Sequence, residues 1–133
     1  MTAVEIRSGN ILRWALAVGA LAGLLAVMAG AFGAHGLRSV VSERSLDVFQ
    51  TAVNYQMYHA LALSAASLMP ALGLSGRLLG AACGFWLAGI LLFSGSLYLL
   101  VLSGTHWLGL VTPVGGVCFM IGWALLITAA LKK

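Results

Sequence analysis

The run Leu78–Leu131, LLGAACGFWLAGILLFSGSLYLLVLSGTHWLGLVTPVGGVCFMIGWALLITAAL, contains no Asp, Glu, Lys or Arg. A helix that crosses a bilayer takes about 20 mainly apolar residues, so a run of this length holds two of them. Ser103-Gly-Thr-His106 supplies the break between them. Two more uncharged tracts, Trp14–Leu37 and Val48–Gly76, hold one helix each. The 133-residue chain is 62% apolar and 8% charged, whereas soluble domains are roughly half apolar and a quarter charged. The expected fold is therefore all-α: four transmembrane helices near 11–34, 48–70, 78–102 and 108–131, forming a single integral membrane domain over residues 1–133. Continuous apolar runs exclude a β-barrel, whose strands alternate.

The N-terminal arginines, Arg7 and Arg13, resemble the start of a signal peptide. The apolar run behind them outlasts the roughly 7–15 residues of a signal core, so a retained span is expected. With four spans both termini share a side. Arg7, Arg13, Arg77, Lys132 and Lys133 then face one compartment, and Arg38 and Arg44 the other. Basic residues collect on the cytoplasmic side, which predicts an inner-membrane protein with both termini in the cytoplasm. The formal charge of +4 reads as this topology signal and not as a nucleic-acid surface. Cys83 and Cys118 fall at different depths, so both are expected to be free, buried thiols.

Small residues mark the expected helix contacts. Gly19, Gly23, Gly30 and Gly33 lie on one face of the first span, Gly80, Gly84 and Gly95 on the third, and Gly115 and Gly122 on the fourth. Such stripes let backbones approach closely where no hydrophobic force acts between helices. The same pattern permits a homo-oligomer. Between the first two spans, Leu37, Val40 and Val41 are spaced to rest on the interface, predicting a short amphipathic outer segment. Ser42 followed by Glu43 is an expected N-cap for the second helix.

The polar residues within spans carry whatever chemistry there is. His35 ends the first span in GAFGAHG, and Thr51, Asn54, Tyr55, Tyr58 and His59 form a stripe on the second. Polar groups at such depth face the bundle. On a structural reading, His35, Asn54, Tyr55 and His59 form a hydrogen-bonded cluster between the first two helices, with the His35 imidazole directed at the other three. On a second reading His35, His59 and His106 bind a metal, or His35 and His59 a haem, imidazole being a ligand for zinc and copper. On a third, His59 and Tyr55 line a proton or small-solute path. The structural reading needs no cofactor, and none is expected. No span contains an acid, Ser94 and Ser96 lack a nearby base, and no phosphate-binding loop occurs. The chain is not expected to be an enzyme.

In order and spacing, GAFGAHGL, FQTAVNYQMYHALAL, GILLFSGSLYLL and TPVGGVCFMIGWALL resemble the small membrane family DUF423, also called UPF0382, which includes the eukaryotic transmembrane protein 256. The motif positions are Gly33, His35, Gly36, Phe49, Tyr55, Gln56, His59, Gly95, Tyr98, Pro113, Gly115, Gly116 and Gly122. The resemblance covers Leu21 to Leu131 and implies a four-helix inner-membrane protein, without implying an activity. The expected role is a structural or accessory component of the membrane. Its partners would be the lipid bilayer, a larger membrane complex or a second copy of the chain, and no nucleic acid.

Overall fold

In the computed structural model, which describes residues 8–132, the chain is helical and no strand occurs among those residues. Four long helices make the bundle. α1 spans Arg13–Leu37, α2 Glu43–Leu68, α3 Gly76–Ser103 and α4 His106–Leu131. α1, α3 and α4 are long and apolar enough to cross a bilayer. Their last or first turns are not all α-helical: Gly33–Leu37 closes α1 in π turns and His106–Leu110 opens α4 in 3₁₀ turns.

The helix boundaries have local causes. Ser42 caps α2, its Oγ accepting from the Ser45 amide at 3.1 Å, with Glu43 in the first turn where the helix dipole favours an acid. Pro70 sits in the 3₁₀ turn Met69–Leu72 that ends this hairpin arm, and Gly73 at φ 98° reverses the chain. Ser75 caps α3 through the Leu78 amide at 3.2 Å. Gly104 at φ 70° ends α3 where the sequence break was expected, and Pro113 stands in the first turn of α4 proper.

Packing forms two antiparallel pairs. α1 and α2 are registered along their whole length. Leu12 N donates to Ser67 O at 2.9 Å near one end, Gln56 Nε2 to Ala22 O at 2.8 Å in the middle, and Gly33 lies on the Phe49 ring at the other end. α3 and α4 pair in the same manner, with Gly122 on Trp86, Phe119 on Gly89, Gly115 on Phe93, and Ser96 Oγ 2.6 Å from Thr112 Oγ1. α2 joins the pairs. It packs on α1 and α3 and reaches α4 through the His59 side chain. The least apolar of the four helices thus lies innermost, where its polar groups meet protein.

α3 has one irregularity. Ile90–Ser94 forms a π turn between the α-helical stretches Gly76–Gly89 and Gly95–Ser103. The added residue in that turn re-aims the following side chains, and Ser94 Oγ donates to Ala52 O on α2 at 2.7 Å.

Two expectations about local structure are corrected. No separate amphipathic segment lies between α1 and α2: residues 38–42 form a tight turn, with Val40 N and Val41 N donating to Leu37 O at 2.9 and 3.1 Å. Leu37 and Val41 pack inward on the Phe49–Val53 cluster, and only Val40 is exposed. Among the glycines, Gly80 and Gly84 face open space, Gly23 is no closer than 3.9 Å to its neighbour, and Gly95 meets only its own helix. The positions tight against another helix are Gly19, Gly33, Gly89, Gly115 and Gly122, with Gly30 in ordinary contact with Val53; Gly36 is tight only against Phe32 of its own helix. Gly89 escaped the sequence reading because a lone glycine flanked by Ala88 and Ile90 does not reveal the Phe119 ring that overlies it.

Candidate functional site: a closed polar and aromatic core around the second helix

The buried positions of α2 are Phe49, Ala52, Val53, Gln56, His59, Ala60, Leu63, Ala66 and Ser67. These alternate by three and four residues, one face of a 3.6-residue helix. Gln56 and His59 are the polar members of that face near mid-helix.

His59, 4% exposed, is held on all sides. Its Nδ1 lies 2.7 Å from Tyr55 O, and its Nε2 lies 3.1 Å from the indole Nε1 of Trp123 on α4. A carbonyl only accepts and an indole N–H only donates. The geometry therefore assigns the neutral tautomer with its proton on Nδ1. Both ring nitrogens are used. The imidazole also stacks on Phe119, with centroids 3.6 Å apart and planes within 9°. Tyr55 packs on Phe93 at 4.7 Å, and Trp123 on Trp86 at 4.9 Å. Among the described residues the Trp86 indole N–H is the one buried side-chain group without a hydrogen-bond partner.

Gln56, one turn toward the α2 N-terminus, ties three helices. It donates to Ala22 O on α1 and accepts from the Tyr98 hydroxyl of α3 at 2.6 Å. With the Ser94–Ala52 bond, this makes a small hydrogen-bonded belt at mid-height. Such bonds average only about 0.6 kcal/mol each in membrane bundles, so they set register while packing supplies most of the stability.

The expected four-residue cluster does not assemble. Of its members the structure brings His59 and Tyr55 together, by ring stacking and the backbone bond. Asn54 instead accepts from Gln50 on its own helix at 2.8 Å. Tyr55 is 40% exposed, and Thr51 and Tyr58 also face outward. His35 is exposed and bonds to none of Asn54, Tyr55 or His59, contrary to the expected inward direction. The reason is angular: Gly33 and Leu37, four apart, occupy the buried face, which turns the residue midway between them outward. His106 is exposed as well.

The histidines therefore do not converge, and among the described residues no group of three His, Cys, Asp or Glu side chains is placed to hold a metal ion. A bis-histidine pair of His35 and His59 is not formed, and His59 could ligate only by giving up Trp123. Cys83 and Cys118 are free thiols, the first buried. Gln56, Tyr98, Phe119 and Trp123 were not singled out as a polar or aromatic site from sequence. For Gln56 the signal existed: it lies on the same three-and-four stripe as Phe49, Ala52, Ala60 and Leu63.

Residues 29–116 match the family model described as "Protein of unknown function (DUF423)". The chain is 48% identical over 117 residues to the UPF0382 membrane protein YwdK of Bacillus subtilis (strain 168), covering 86% of this chain and 94% of that one. It is 47% identical over 115 residues to a UPF0382 membrane protein of Staphylococcus aureus (strain bovine RF122 / ET3-1), with 86% and 93% covered. A UPF0382 membrane protein of Haemophilus influenzae (strain ATCC 51907 / DSM 11121 / KW20 / Rd) is 38% identical over 114 residues, with 86% and 90% covered. No solved structure matches the chain. These relatives and the three apolar helices of spanning length agree that the chain is a membrane protein.

Proposed function

The chain belongs to the DUF423 family of membrane proteins, and on that premise we propose that it is a four-span bundle of the inner membrane with cytoplasmic termini. Its role is that of a structural or accessory component docked to a larger membrane complex, without enzymatic activity of its own. The observation that carries this reading is the use made of α2: Gln56 and His59 are spent on contacts that hold helices together.

α2 is the helix whose composition falls short of a span, and its packing supports a crossing. Its 26 residues extend about 39 Å at 1.5 Å each, more than the roughly 30 Å of hydrocarbon. It runs beside α1 from Leu12 to Gly33, so if α1 crosses, α2 crosses with it. Its charges, Glu43, Arg44 and Asp47, stay within the first two turns. For orientation, Arg13, Arg77 and Lys132 lie at one end of the bundle and Arg38 and Arg44 at the other. Arg7 and Lys133, which strengthen the same bias, lie outside the described residues.

Solubilisation of the native membrane in a mild detergent, followed by affinity isolation of the tagged chain, tests the accessory role. A defined set of membrane subunits in fixed ratio is expected. Isolation of the chain alone under conditions that leave other inner-membrane complexes intact contradicts it.

A further inference from the structure

A groove of about 260 Å³ separates α1 from α3 on the outer surface of the bundle, walled by Leu21, Leu25, Leu87 and Leu91. Gln56 and Tyr98 also line it. Gln56 is 5% exposed, and one of its two amide N–H groups reaches Ala22 O; among the described residues its amide nitrogen makes no second hydrogen bond. Tyr98, having donated to Gln56 Oε1, retains accepting lone pairs. Helix tying accounts for the Gln56 carbonyl and one N–H. It does not account for a spare donor at the floor of an apolar groove.

Depth decides what can meet that donor. Gln56 stands at the middle of Glu43–Leu68, near the bilayer centre if α2 spans. Water is absent there, and hydrocarbon offers an amide N–H no acceptor. A phospholipid acyl chain fills such a groove without offering an acceptor, and its ester carbonyls lie at the edge of the hydrocarbon, about 15 Å from the centre. Two features of α3 keep the groove open. At Gly95, a lining residue, a side chain would meet only Ile90 O at 3.9 Å, and the π turn Ile90–Ser94 forms part of the wall. π turns of this kind recur at ligand sites.

We propose that the groove between α1 and α3 binds a lipophilic carbonyl compound of the quinone class, its apolar body against Leu21, Leu25 and Leu91 and a carbonyl oxygen accepting from Gln56. The proposal rests on the four-span reading, which places Gln56 at mid-membrane.

The test uses the full chain in lipid nanodiscs, with a benzoquinone carrying a decyl tail as probe and decylbenzene as the control lacking carbonyls. Native mass spectrometry is expected to show saturable retention of the quinone and no saturable retention of decylbenzene. Gln56→Leu should weaken retention about tenfold, as loss of one hydrogen bond does. Gly95→Leu should abolish it while leaving both Gln56 bonds in place, so it serves if the Gln56 variant does not fold. Equal retention of the two probes would make the groove an acyl-chain surface and overturn the proposal. So would absence of saturable quinone retention, or retention unchanged by Gly95→Leu. Failure here with α2 shown to cross removes the ligand alone; failure of α2 to cross removes the four-span reading beneath it.

Discussion

Gly115→Ala is expected to destabilise the bundle by about 1–3 kcal/mol, the usual cost of overfilling a packed interface. A Cβ at this position would lie 2.7 Å from Phe93 Cβ and 2.8 Å from the Leu92 carbonyl carbon, and would press on the Phe93 amide nitrogen as well. Two of those atoms are helix backbone and Phe93 Cβ is bonded directly to it, so none can swing aside. α3 and α4 must therefore separate, which also strains the Ser96–Thr112 bond. Gly84→Ala is the matched control. Nothing lies within 4 Å of its Cβ position, so the usual helical preference for Ala over Gly, about 0.5–1 kcal/mol, should appear as unchanged or slightly raised stability. Thermal unfolding of both variants in detergent reads the difference. Equal effects would remove the α3–α4 interface as the source of stability.

The second large effect is expected at His59. Replacing His59 with Leu keeps a side chain of similar bulk and removes the acceptor for Trp123 Nε1. In hydrocarbon the stranded donor should cost about 1–3 kcal/mol, and the flat stack of the imidazole on Phe119 disappears as well. His59→Gln can restore an acceptor without the ring, so an intermediate loss of stability is expected. His35→Leu, on an exposed turn, should stay within about 0.5 kcal/mol of the parent. The indole N–H proton resonance of Trp123 distinguishes a local hydrogen bond from general loosening. It should move upfield in His59→Leu and remain in place in His35→Leu. If His35→Leu proves the more damaging, the assignment of the structural histidine is wrong.

Helix number and the hairpin turns were legible in the chain because they follow from composition. The uncharged tracts set helix length, and Ser42, Pro70, Gly104 and Pro113 mark ends through their own backbone chemistry. Which face of each helix turns inward was harder to read. The polar stripe from Thr51 to His59 invited an inward reading as a whole, yet the buried face follows Phe49, Val53, Gln56 and Leu63, leaving Thr51, Tyr55 and Tyr58 outside. Tyr and Thr carry enough apolar surface to sit in lipid beside their polar atoms, so polarity alone does not fix their direction. The same ambiguity misplaced Gly80 and Gly84: small residues permit close packing without requiring it. The π turns at Gly33–Leu37 and Ile90–Ser94 leave no compositional mark, since they arise from how the finished helices fit.

α2 remains the element on which the architecture turns, because it is the polar helix placed at the centre. Single cysteines at Val40, 75% exposed before α2, and at Leu72, 51% exposed after it, report whether it crosses. In a background with Cys83 and Cys118 replaced by Ala, each variant is treated in intact cells with a membrane-impermeant maleimide. Labelling of Val40→Cys from outside, with Leu72→Cys protected until the membrane is opened, is the expected result. Labelling of both from the same side would contradict a fourth span.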